Sequence, residues 1–152
     1  RQADLLPRHA QGLGHGLQYR AGHVRGLVDA ADAGWVFVMI GPEQNLAVVR
    51  WLREHSDRPT VALVLWAELF AVLQRSTGEI MATREELARQ VGISRADVSR
   101  IMTQLDSCGA IIKRKEGREV RYFMNPKVAT KLPAGPRAAA QAKAPDLKLV
   151  EA

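Results

Sequence analysis

The chain has 152 residues, 47% of them hydrophobic and 25% charged, with a formal net charge of +6 and an isoelectric point near 10.0. That length supports one core with tails, and the composition excludes a disordered or fibrous chain. Its one cysteine, Cys108, excludes an internal disulfide and a cysteine-based zinc site, while the positive balance suits a polyanionic partner. No signal peptide or membrane span is read. The longest apolar run, Val61 to Leu73, contains Glu68 and is short for a bilayer, so a bacterial-type cytoplasmic protein is the expectation.

Residues 1–33 form a weakly specified amino-terminal segment. Gln11 to Gly16 is glycine-rich, but it lacks the preceding strand and the following Lys-Ser or Lys-Thr of a phosphate-binding loop. His9, His15 and His23 are irregularly spaced without acidic or cysteine companions, so no metal and no cofactor are expected. Leu17 to Tyr19 suits a short strand, and Gly34 to Ile40 a firmer one, being β-branched and aromatic between glycines. Pro42 then opens a helix with Leu46, Val49, Trp51 and Leu52 on its apolar side. Ser56-Asp57-Arg58-Pro59 is a turn, after which Thr60 caps a helix running to about Gln74 through Val64, Leu65, Leu69, Phe70 and Leu73. This helix is expected to be the buried centre or partly a subunit interface. Trp35, Trp51 and Trp66 sit in apolar stretches and are read as core residues, not as base-stacking platforms.

After a loop at Ser76 to Glu79 and a short strand at Ile80 to Ala82 comes the most specific stretch. Thr83 followed by Glu86 is a capping box that starts a helix, and Val91-Gly92-Ile93 ends it with a glycine turn. Ser94 with Asp97 is a second box with a shorter acid. Val98, Ile101, Met102 and Leu105 repeat at the helical period and should face the core, with Cys108 as a small core residue at the end of that stripe. Arg95, Ala96, Ser99, Arg100 and Thr103 fall on the opposite face, near the end that helix-turn-helix proteins lower into the major groove. Arg95 and Arg100 suit guanine edges, while Ser94, Ser99 and Thr103 suit phosphates or register. Thr83 and Arg84 at the start of the first helix join the contact set. A merely solvated helix face is the plainer reading of the same residues.

Ala110 to Lys115 and Arg118 to Met124 flank Glu116-Gly117 as a hairpin. A hairpin directly after two such helices is a wing, and Lys113, Lys115, Arg118 and Arg121 suit phosphates beside the groove. From Lys127 onward alanine, proline and lysine dominate. Ala138 to Ala142 could form a brief helix, and a mobile basic tail or an idle extension are both open.

From Trp35 to Lys131 the chain resembles the RepL-type plasmid replication proteins. The likeness lies in the WVFVMI strand, the helix at Leu46–Leu52, the long apolar helix, GEIMATREELARQVGISRADVSRIMTQLDSCGAI and the closing YFMNP. The second helix also resembles that of cyclic-AMP-receptor-type activators, in which Ser-Arg-Glu-x-x-x-Arg opens the recognition helix. Ser94, Arg95 and Arg100 match, and Ala96 replaces the glutamate, which would remove a contact to a cytosine amino group and could meet a thymine methyl instead. The upstream segment is short for a cyclic-nucleotide barrel, so an activator of that type is not expected.

The expected fold is mainly α with a small β part (α+β): a winged helix-turn-helix with an amino-terminal strand and helix extension over residues 34–126, followed by a basic tail at 127–152. The expected function is sequence-specific binding of double-stranded DNA by a homodimer, in plasmid replication initiation or its control, with replication or transcription machinery as further partners and no membrane. A winged-helix transcriptional repressor and a winged-helix module for an acidic protein are the alternatives. An enzyme is not expected, because Glu85 and Glu86 diverge on the helix and no nucleophile has a histidine nearby in sequence.

Overall fold

The computed structural model describes residues 36–149. The strand expected at Leu17–Tyr19, the glycine-rich loop, Trp35 and the three amino-terminal histidines lie outside them. Of the strand expected over Gly34–Ile40, the described part holds only β1, Met39–Ile40. Its antiparallel partner β4, Ala129–Thr130, offers two residues, with Met39 opposite Thr130 and Ile40 opposite Ala129. Among the described residues, 36–38 lie outside this ladder.

Helix α1, Pro42–His55, has proline in its first turn, Glu43 at its positive end, and Arg53 and His55 at its negative end. Val48 and Leu52 are buried, and Asn45 on the same stripe accepts the Trp66 indole N–H at 2.8 Å. Leu46, expected on the apolar side, is 46% exposed; one position past Asn45, it is turned about 100° away. Trp51 is half-buried and stacks on His55, whereas Trp66 is buried as expected.

Helix α2, Pro59–Leu69, buries Ala62, Leu65, Trp66 and Leu69. Thr60 does not cap it. The helix begins one residue earlier, at a proline whose fixed φ suits the first turn, and no side chain caps it. Nor does it run to Gln74: the chain tightens into a 3₁₀ turn at Phe70–Val72 and then extends. Leu65, Trp66 and Leu69 each contribute roughly 1.5–3 kcal/mol by burial, which makes α2 the centre of the core.

Helix α3, Arg84–Val91, carries the full capping box: Thr83 Oγ1 accepts from the Glu86 N–H, and the Glu86 carboxylate accepts from the Thr83 N–H at 2.8 Å. Gly92 ends it at φ 77°, a conformation that glycine adopts without strain. Helix α4, Arg95–Ser107, begins with Ser94 Oγ accepting from the Asp97 N–H at 3.0 Å. Its second half-box is missing, because the Asp97 carboxylate turns to arginines instead. Val98, Ile101, Met102 and Leu105 are all buried, as their period requires, and Cys108 closes that stripe in the core.

Strands β2, Ile111–Glu116, and β3, Glu119–Met124, form the wing, from Ile111 opposite Met124 to Glu116 opposite Glu119. The turn is Gly117-Arg118, one residue later than expected, with Gly117 at φ 62°. The strand expected at Ile80–Ala82 shrinks to isolated bridges, Leu73 with Ile80 and Glu79 with Phe123.

The segment after Pro126 is no loose extension. Besides β4 it forms helix α5, Ala134–Lys143, longer than the brief helix expected, with Pro136 held in its first turns. Residues 145–149 then return to the core: Lys148 N–H donates to Cys108 O at 2.8 Å, and Leu147 and Leu149 pack against buried residues. Asn125 is fully buried, its amide donating to Gly109 O and Pro145 O, both at 2.9 Å, while its carbonyl accepts from the Lys127 N–H at 3.0 Å. A boundary at residue 126 is thus not marked by any loss of structure.

Candidate nucleic-acid interface

With Val98, Ile101, Met102 and Leu105 facing inward, a 100° step places Ala96, Ser99, Arg100 and Thr103 on the outward side of α4. Ser94, Arg95, Ala96, Arg100 and Thr103 are exposed, and Ser99 is half-buried. Arg84, from the first turn of α3, donates to Ser99 Oγ at 3.0 Å, and Thr103 Oγ1 donates to the Ser99 carbonyl at 2.9 Å. Thr103 therefore spends its proton within the helix and offers an acceptor and a methyl group outward.

Both arginines of this helix are balanced by acids. Arg95 Nη1 lies 2.9 Å from Glu85 on α3, in a pair exposed on both sides. Arg100 Nη1 lies 3.7 Å from Asp97, whose other oxygen holds Arg58 Nη1 at 2.6 Å. An exposed pair such as Arg95–Glu85 contributes roughly 0–1 kcal/mol, so a phosphate or base edge can replace that acid at small cost. Thr83, by contrast, has its hydroxyl engaged in the cap.

Alternation divides the wing's cations. Ile111, Lys113 and Lys115 share one face of the hairpin with Met124, Tyr122 and Val120, and Ile111 and Met124 are buried. Lys113 and Lys115 thus extend the core-side face that α4 packs against, and Asp106 of α4 accepts from the Lys113 N–H at 3.1 Å. Arg114 and Arg121 project from the other face, both guanidiniums over the Phe123 ring, at 4.9 and 5.4 Å. Arg121 is further committed to Glu79, Nε to Oε1 at 2.7 Å and Nη2 to Oε2 at 2.6 Å, with Glu116 at 3.4 Å. The hydrogen bonds from Arg121 hold the Glu79 carboxyl below its ordinary value of 4.5, and those to Glu79 push Arg121 upward. Arg118 sits exposed in the turn.

Of the sequence-predicted residues, the structure gathers Arg84, Ser94, Arg95, Ala96, Ser99, Arg100 and Thr103 on and beside one helix face. Lys113 and Lys115 lie on the hairpin face of Ile111 and Met124, whereas Arg121 lies on the other. Arg58 and Tyr122 were not predicted. Arg58 belongs to a turn whose partner is 39 positions away, and Tyr122 acquires its place opposite Lys113 only from the strand register. Among the described residues no group of histidine, cysteine, aspartate and glutamate is arranged to hold a metal ion, and no helix is long and apolar enough to cross a membrane.

Residues 48–123 match the Crp-like helix-turn-helix domain family over half of the chain, from the middle of α1 to the end of the wing. Comparison with curated proteins and with solved structures returns no match. Of the two resemblances in the sequence, the one to the activator-type recognition helix is the one this match supports. With capped helices, a left-handed glycine turn, an outward face of small and basic residues and a hairpin that follows them, the chain belongs to the Crp-like helix-turn-helix domain family and carries a winged helix-turn-helix of the DNA-binding type.

Proposed function

We propose that the protein binds a specific duplex sequence as a transcription regulator, with α4 in the major groove and the wing on the adjacent backbone. The observation that carries this reading is the outward face of α4, where Ala96, Ser99, Arg100 and Thr103 present no large apolar side chain. Arg95 and Arg100 read base edges, Ala96 meets a thymine methyl, and Ser94, Ser99 and Arg84 fix the register. Thr83 sits at the same end of α3, so a passing phosphate meets its helix start. Lys113, Lys115 and Arg118 grip phosphates, and Arg121 braces the wing from behind instead of touching DNA. No catalytic step is assigned.

A single winged helix covers a modest length of duplex, so specificity calls for two copies. Exposed apolar residues Met39, Ile40 and Leu46, around β1 and the start of α1, support a homodimer contact in that region. Initiation or control of plasmid replication is the second reading, favoured by the ordered likeness from WVFVMI to YFMNP. Selecting bound fragments from a random duplex pool tests both. An inverted repeat supports the regulator, direct repeats support the origin reading, and recovery of no shared sequence rejects specific binding altogether.

A further inference from the structure

We propose that Arg58, at the amino end of α2, is a DNA-contacting residue that grips a backbone phosphate beside the recognition helix, and that Asp97 is the residue that positions it. The inference rests on the DNA-binding reading above and adds a contact to it. On α4, Asp97, Arg100 and Gln104 follow at three- and four-residue steps, a stripe adjoining the outward face. Arg58 borders that stripe, its Nη1 2.6 Å from Asp97 Oδ2, while Asp97 Oδ1 lies 3.7 Å from Arg100 Nη1. The opposite flank of the same face carries Arg84 and Arg95. The groove-facing surface is thereby bordered by guanidinium groups on both sides, as a helix lying between two phosphate strands requires.

Charge and exposure give Arg58 this role over that of a plain structural clasp. One carboxylate, 19% exposed, serves two guanidiniums whose side chains are 49% and 55% exposed. Asp57, exposed in the same cleft, is the other acid there. Within the described residues Arg58 spends one amino group on Asp97, which leaves the rest of its five-donor fork available. The amino end of α2 beneath it has no acidic residue in its first turn and no side-chain cap, so its helix dipole also favours an anion. A forked guanidinium held from behind by a carboxylate loses less freedom on meeting a phosphate than a free one.

The test uses the full chain with the duplex recovered by selection, an unrelated duplex, and versions of the selected duplex in which single phosphates are replaced by neutral methylphosphonates. Arg58→Ala should weaken both duplexes by the same factor and flatten the logarithmic salt dependence by about one unit. It should also abolish the penalty of neutralisation at one phosphate while leaving the others. Arg58→Lys should keep the salt slope, and Asp97→Asn should blunt the penalty at that same phosphate. Retention of every phosphate penalty and of the slope in Arg58→Ala, with wild-type binding intact, overturns the proposal and leaves the DNA-binding reading standing. Equal weakening at all phosphates with a lowered melting temperature also overturns it, since that is the mark of a structural clasp. If the wild-type chain ignores every duplex, the DNA-binding reading itself falls.

Discussion

Asn125 joins segments that are 16 and 20 positions away along the chain. It is fully buried, and its side chain satisfies two carbonyls and one N–H from three separate segments: the end of α4, the start of the returning tail, and its own turn. Net hydrogen bonds contribute about 1 kcal/mol each, and orphaned buried partners cost more. Asn125→Ala should therefore lower unfolding free energy by about 2–4 kcal/mol, read as a shift of the urea midpoint, and an unchanged midpoint would contradict this role. The Asn-Pro in the closing YFMNP accordingly has a structural reason at the base of the wing. Glu79 supplies a second test at this scale. Its pairing with Arg121 lowers its proton affinity in the folded state, so it stabilises the fold above the unfolded value near 4.5 and ceases to do so as pH falls through the lower folded value. Glu79→Gln should be less stable than wild type at neutral pH and should lose less on acidification below pH 4.5, measured by denaturant titration at both pH values. Parallel pH profiles for the two chains would count against it.

At the scale of elements, local signals were legible and distant pairings were not. The helix-turn-helix could be read from sequence because each boundary is set within four residues: Thr83 with Glu86, Ser94 beneath Asp97, Gly92 at positive φ. The apolar period of α4 likewise decides its buried face without reference to anything else. By contrast, β1 is two residues long because β4 is, and nothing near Met39 announces a partner at Thr130. The tail misled for the same reason. Its proline-rich composition reads as loose, yet Leu147, Leu149 and the Lys148 N–H find the carboxyl end of α4. Gly109 marks that approach: at φ 80° it already favours glycine, and an added Cβ would lie 3.1 Å from the Asp146 carbonyl oxygen. Burial pushes the Cys108 thiol upward in pKa and covers it. A chain ending at Ala144 should expose it, so that a thiol reagent modifies Cys108 several-fold faster than in the full chain under native conditions. Equal rates would show that the returning segment is not what covers α4.

Across the whole molecule, the placement of the cations depends on pairings that are distant in sequence. A net charge of +6 suits a polyanion without assigning any one cation to it. Strand register separates Lys113 and Lys115 from Arg121, and a 39-residue separation joins Arg58 to Asp97. On the proposed mode of binding, α4 reads sequence while the wing supplies affinity. The most direct measurement of it is the affinity of Arg100→Ala and Lys115→Ala for the selected duplex and for random duplex over a range of salt concentrations. Arg100→Ala should lose ~1–3 kcal/mol on the selected duplex, relax one base position and change random binding little, whereas Lys115→Ala should weaken both alike and flatten the salt slope by about one unit. Equal losses on both duplexes for both variants would contradict the account.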